Sequence, residues 1–199
     1  MHIGLTGGIG CGKTSVLEFF RQNGWSVFDS DKFCRKLRED ASGSLVNEIK
    51  KRWGEKFLSK NGVPDDSKVA KLIFADETER KWLNSVVHPL VLEAMRQKAS
   101  ECEDLISDVP LLFEVGWEKE FDKIITVWAP EEIRIKRLKA RGMSEAEAKQ
   151  RMSSQFSADK KLEMADKGII NSGSIELLHE QCSKLIKDLK KVTEKKRRC

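Results

Sequence analysis

Residues 7–14 read Gly7-Gly8-Ile9-Gly10-Cys11-Gly12-Lys13-Thr14, and every fixed position of the pattern G-x-x-x-x-G-K-[ST] is filled. The residue types have a chemical reason. Glycines let backbone N–H groups converge on phosphate oxygens without side-chain clash, and the N-terminus of a following helix adds a favourable dipole. Lys13 is placed to neutralise the terminal phosphates, and the Thr14 hydroxyl to ligate Mg²⁺. Such a loop requires a strand before it and a helix after it. Residues 3–6 read as a short buried strand, and from Lys13 the apolar positions Val16, Leu17, Phe19 and Phe20 suit a helix facing a sheet. A bare tight turn gives no reason for a lysine directly after Gly12. The stretch reads as a phosphate-binding loop, and it decides for an α/β fold.

Outward from the loop, Gly24 ends the first helix, and residues 25–28 read as a second strand leading into Asp29-Ser30-Asp31. Helical periods then dominate to about Cys102, with breaks expected at Gly54, at Asn61-Gly62-Val63-Pro64 and at His88-Pro89. A third strand over 104–109 stops at Pro110, and a fourth over 121–128 stops before Pro130. Charged helical text fills 131–165. A short strand at 168–170, the turn Asn171-Ser172-Gly173-Ser174 and a last amphipathic helix complete the chain. Strands alternating with helices imply a parallel sheet covered on both faces. The expected organisation is one domain over 1–199. Residues 1–30 and 103–199 form its core, with a lid at about 131–156, and 31–102 form a helical insert.

Composition narrows the class. The chain is 39% hydrophobic and 35% charged, enough apolar text for a core beneath a charged surface. No apolar run approaches the ~20 residues of a membrane-spanning helix, and the first residues lack a basic leader, so a cytosolic protein is expected. Cys11, Cys34, Cys102, Cys182 and Cys199 form an odd set without C-x-x-C spacing, which reads as free thiols. Cys11, at a helix N-terminus, is either a redox-sensitive thiol or a small residue chosen to fit. Residues 187–199 carry seven basic and two acidic groups, which accounts for the entire net charge of +5. The body is neutral. The tail therefore reads as a solvated helix end, and neither a nucleic-acid nor a membrane partner is expected. The sequence leaves the oligomeric state open.

Three classes of protein use such a loop. A GTPase needs an N-K-x-D motif, and none occurs. A motor, or an ATP-dependent nucleic-acid module, tends to carry an aliphatic run ending in Asp-Glu, whereas here Leu105-Ile106-Ser107-Asp108 runs into Val109-Pro110. Asp108 reads either as a strand-end cap or as a carboxylate reaching the Mg²⁺ shell through water. A small-molecule kinase needs a carboxylate to orient the acceptor hydroxyl and take its proton. Asp29 and Asp31 follow the second strand, where open α/β sheets bind ligands, and either suits a helix N-cap as well. Closure over the phosphoryl group needs cations. Arg134, Arg137 and Arg141 share one helix face, and Arg151 follows Gly142-Met143-Ser144, with Glu147 at the capping-box position of Ser144. This reads as an arginine-bearing lid with a glycine hinge.

Taken together, the chain resembles the dephospho-coenzyme A kinase family, P-loop kinases related to the nucleotide kinases. The likeness runs over 3–178. It rests on the glycine loop, Asp29-Ser30-Asp31, His88-Pro89-Leu90, Val109-Pro110-Leu111-Leu112-Phe113-Glu114, Arg137 to Arg141, Arg151 to Gln155, and Ala165-Asp166 with Ile170-Asn171-Ser172-Gly173. Cys11 and Thr14 replace more usual serines, Ser30 a typical alanine, and Gly142 an aspartate that often follows the lid arginine. The resemblance implies ATP-dependent phosphorylation of the ribose 3′-hydroxyl of dephospho-CoA, with ATP and Mg²⁺. It implies catalytic roles for Lys13, Asp31, Arg137 and Arg141. The implied ATP site is Gly8, Ile9, Gly10, Cys11, Gly12, Lys13, Thr14, Ser15, Arg141 and Asn171. Asp31, Arg35, His88 and Leu112 are implied on the acceptor side. Thr14 is the implied metal ligand, with Asp108 through water.

Overall fold

In a computed structural model of the protein, the backbone is described from residue 1 to 198 and the side chains from 1 to 191. The basic tail's side chains at 192–199 lie outside the described residues, and so does most of the reading made of them.

The chain divides into two compact units, one of residues 1–28 with 99–199 and one of residues 29–98. The first unit carries a sheet built from β1 (His2–Thr6), β2 (Ser26–Asp29), β3 (Leu105–Asp108), β4 (Lys123–Trp128) and β5 (Lys167–Ile170). Among the described residues the strand order is β2-β3-β1-β4-β5. β1 pairs in parallel with β3 and β4, and β4 with β5, with Leu5 opposite Asp108 and Ile125. A central parallel strand is covered on both faces, and in β1 every residue from Ile3 to Thr6 is buried, the small Gly4 and the polar Thr6 included. Helix α1 (Lys13–Gln22) follows the glycine loop, and α9 (Ile175–Arg198) closes the chain. Val16, Leu17 and Phe20 of α1 and Leu178, Cys182, Leu185, Ile186 and Leu189 of α9 join Ile3, Leu5, Ile125 and Val127 in one core. Their three- and four-residue spacings put each set on one helix face.

The second unit is helical: α2 (Ser30–Glu39), α3 (Ser44–Trp53), α4 (Asp66–Ala75) and α5 (Glu77–Glu101), which runs on to the start of β3. Leu45, Ile49, Trp53 and Val69 form its core, with Trp82, Val86, Val87 and Leu90 packed against them. The break expected at His88-Pro89 does not occur, because α5 passes through Pro89. Proline removes one helical hydrogen bond, here to the Ser85 carbonyl. Ser85 and Pro89 are both exposed, so the carbonyl left without its donor lies where solvent can reach it. Meanwhile Val86, Val87 and Leu90 hold the helix on its core from both sides of the defect.

The first unit continues after β4 with α6 (Glu131–Ala140), α7 (Glu145–Ser153) and α8 (Ala158–Met164). Ser144 and Glu147 form the expected capping box. Gly142 does more than offer freedom. Its φ of +85° closes α6, with Gly142 N–H donating to Lys139 O and Met143 N–H to Leu138 O. No described helix is long and apolar enough to cross a membrane.

Candidate active site

The glycine loop leaves β1 after Thr6 and enters α1 at Lys13, between the strand and the helix it requires. Within it, Cys11 N–H donates to Gly8 O at 3.1 Å, and Lys13 Nζ donates to Gly7 O at 3.1 Å. Among the described residues, the N–H groups of Gly10, Gly12, Lys13 and Thr14 have no protein acceptor. Those of Lys13 and Thr14 are the orphan donors of the first turn of α1. A row of such N–H groups with a lysine is an anion site. The Cys11 side chain is wholly buried in the core of the unit, so the choice left open for it falls to the small residue that fits.

Two residues implied as ATP or catalytic groups hydrogen-bond the loop itself. Asn171 follows β5 and is buried, and its Nδ2 donates to Cys11 O at 2.8 Å. Arg137 donates through Nη2 to Asn171 O and Oδ1 at 3.0 and 3.1 Å, and through Nη1 to Gly10 O and Cys11 O at 3.4 and 3.3 Å. The fit is close. A Cβ on Gly12, whose φ is +92°, would lie 2.1 Å from Asn171 Nδ2. In this structure Arg137 thus fastens the loop to Asn171. Arg141, the C-cap of α6, differs: its side chain is exposed and has no partner among the described residues. Arg151 of α7 is exposed as well.

Leu112, implied as an acceptor contact, is fully buried, and its neighbour Leu111 is the one exposed. A Cβ on Gly4 would lie 2.7 Å from Leu112 Cδ1, so Leu112 is packing over β1. Asp108 ends β3, half-buried, opposite Leu5 in register.

In the second unit, the N-cap of α2 is Asp29, whose Oδ1 accepts from Lys32 N–H at 2.8 Å. Asp31 lies inside the first turn, exposed and without a hydrogen bond or ion pair among the described residues. Burial, and then the charge of Asp31, push the Cys34 thiol above its ordinary value. Arg35 is one turn further along and exposed. His88 is half-buried in α5, and burial holds its imidazole below the usual value, so it is neutral at pH 7.

Sequence reasoning missed one group in the first unit. Lys161 of α8 is wholly buried, 2.9 Å from Glu114 Oε1, and donates to Pro110 O at 2.5 Å. Burial pushes its ammonium below the ordinary lysine value against the pull of Glu114, and the charge of Lys13 adds to the downward push. Pro110 O also accepts from Thr6 Oγ1 at 3.2 Å, and Glu114 Oε1 accepts from Phe156 N–H at 2.8 Å. The signal was present: Lys161 stands three residues after buried Ala158, at a core-facing step of its helix.

The sheet order and the phosphate loop define a P-loop kinase fold. That fold is shared with shikimate kinase from Acinetobacter baumannii at a TM-score of 0.54, with 14% identity over 94% of this chain and 92% of that one. The particular family is narrower. The family model described as dephospho-CoA kinase matches residues 1–176, and the chain belongs to that family. A dephospho-CoA kinase from Arabidopsis thaliana is 34% identical over 95% of this chain and 84% of its own length. The crystal structure of a Thermus thermophilus protein matches with a TM-score of 0.82 at 33% identity, covering 95% of this chain and 97% of that one.

Proposed function

We propose that this chain transfers the γ-phosphoryl group of ATP to the ribose 3′-hydroxyl of dephospho-CoA, giving coenzyme A and ADP, the last step of CoA synthesis. The observation that carries the reading is the phosphate loop, with Lys13 beside four N–H groups that have no protein acceptor among the described residues, in a chain whose family model extends over 1–176.

The polyphosphate takes the loop N–H groups. Lys13 exchanges the neutral Gly7 carbonyl for phosphate oxygens, because an ammonium is attracted more strongly to an anionic acceptor than to an uncharged one. Mg²⁺ fits the donor set. The Thr14 hydroxyl stands in the first turn of α1, Asp108 supplies a carboxylate, and no cluster of three ligating side chains competes for the ion among the described residues. Such sparse protein ligation, completed by phosphates and water, is what Mg²⁺ favours. When bound it neutralises phosphate charge. Asp31 accepts the hydrogen bond of the acceptor hydroxyl and takes its proton, a role open to it because Asp29 already caps α2. Arg35 and His88 serve the acceptor, the first as a cation and the second as a neutral donor or acceptor. Arg141, unspent on the protein, meets the charge developing on the transferred group.

An assay of ADP formation with dephospho-CoA, and with adenosine, AMP or shikimate in its place, tests the reading. ADP formed only with dephospho-CoA supports it. Equal turnover of a nucleoside or nucleotide overturns the acceptor assignment.

A further inference from the structure

Three side chains hold the backbone of the phosphate loop. Arg134 is buried, and its Nε donates to Ile9 O at 2.9 Å. Asn171 Nδ2 holds Cys11 O, and Gln155 Oε1 accepts from Ile9 N–H at 3.2 Å. The peptide unit is planar, with its C=O and N–H pointing in opposite directions. A donor that fixes the Ile9 carbonyl therefore fixes the Gly10 N–H on the far side. The grip on the Cys11 carbonyl does the same for the Gly12 N–H. These are two of the N–H groups without a protein acceptor. Ile9 is held at both its N–H and its C=O, so neither neighbouring peptide plane turns freely.

The packing around Arg134 is specific to its guanidinium. A Cβ on Gly8 would lie 2.7 Å from Arg134 Nη2 and 3.0 Å from Cζ. Gly8 is thus small for the arginine behind the loop as well as for any anion in front of it. The grip from Gln155 is anchored in turn, since the next residue, Phe156, donates its N–H to Glu114 of the buried pair with Lys161.

We propose that Arg134 and Asn171 are positioning residues for phosphoryl transfer, pinning the Ile9 and Cys11 carbonyls outward and so aiming the Gly10 and Gly12 N–H groups at the nucleotide's phosphates. This rests on the loop's reading as the ATP site. Both side chains are spent on loop carbonyls. Each acts through a peptide plane, in advance of the reaction, which is how preorganised dipoles stabilise developing charge without reorganising. Misaimed N–H groups weaken the transition state more than the ground state, so the loss falls mainly on kcat.

The test uses the full chain with Arg134→Met, Arg134→Lys and Asn171→Asp, reading kcat, ATP KM, Tm and the ¹⁵N–¹H shifts of Gly10 and Gly12. Arg134→Met is expected to lower kcat by roughly 10–100-fold, with a smaller change in ATP KM and a moved Gly10 resonance. Arg134→Lys, which restores a donor and the charge, recovers part of kcat. Asn171→Asp removes the donor to Cys11 O at almost constant size, moves Gly12 and lowers kcat, and it carries the test if Arg134→Met does not fold. A kcat within about twofold of wild type in Arg134→Met or Asn171→Asp overturns the proposal, as does an unmoved amide. So does a loss of kcat that tracks Tm and is not relieved by lysine. Lys13→Ala, run alongside, separates the two readings. If it is inactive while Asn171→Asp is fully active, only the positioning role fails; if it retains full activity, the phosphate-loop reading itself fails.

Discussion

The body of α6 and its C-terminal end treat the same residue type in opposite ways. Arg134 and Arg137 end on the carbonyls of the glycine loop, while Arg141, one turn further on, ends in solvent. Helical spacing places all three on one face. What separates them is the acceptor within reach. Beside a glycine loop, bare carbonyls are close enough to capture a guanidinium, and the arginine becomes part of the wall. Past the loop no described residue captures it, and its charge stays in solvent. The start of α2 repeats the contrast with carboxylates: Asp29 is spent on a backbone N–H, and Asp31 is not.

The largest expected effect falls on the uncommitted carboxylate. Asp31→Asn removes the proton acceptor and is expected to lower kcat by roughly 10²–10⁴-fold with Tm and ATP affinity unchanged. Asparagine caps helices about as well as aspartate, so Asp29→Asn is expected to leave kcat and Tm near wild type. A large kcat loss in Asp29→Asn alone would exchange the two roles.

The arginine pair comes next. Arg141→Ala is expected to lower kcat by about 100-fold, the scale of losing one donor to the transition state, without changing Tm. Arg137→Met strips the loop of its charged donor and costs about 2 kcal/mol, or about 5 °C in Tm, so calorimetry registers it even without substrate. If Arg141→Ala lowers Tm and Arg137→Met does not, the distinction between held and unheld arginines is wrong.

A smaller, pH-dependent effect belongs to Asp166, which accepts from Lys123 Nζ at 2.6 Å and from Ile124 N–H at 2.8 Å. Burial pushes its carboxyl up, but these two donors together hold it below the usual value. A folded-state pKa below the unfolded one stabilises at pH values above the unfolded pKa, and that stability is lost as pH falls through the folded pKa. The side chain is 36% exposed, so solvent screening limits the pair to about 1 kcal/mol. Asp166→Asn is therefore expected to lower Tm slightly at pH 7, and the gap to wild type to close as the pH drops below the ordinary carboxylate range. A gap that persists at low pH would assign the effect to packing instead of charge.

Much of this site is visible in the linear text because its parts are local. The loop spans eight consecutive residues between a strand and a helix, and the capping box of Ser144 and Glu147 spans four. What the linear text does not show, a distant partner or an exposed face decided. The break at Pro89 was avoided because the defect faces water and Leu90 holds the next turn. Leu112 went to the core because Gly4, far earlier in the chain, leaves room above β1.

The sequence by itself determined the alternation of strands and helices, the phosphate loop with Lys13 and Thr14, the family, and hence the reaction proposed. Each of these is written in spacings of a few residues, where backbone geometry alone relates one side chain to the next. Only the tertiary structure decided which arginine is wall and which is free, that Asn171 grips the loop, and that Lys161 is buried against Glu114. Arg137 and Asn171 meet carbonyls 126 and 160 residues earlier in the chain. No helical or strand period relates residues that far apart. A cation's role is settled by which acceptor folding brings within hydrogen-bond reach, and that is a property of the packed sheet and its helices rather than of any segment read alone.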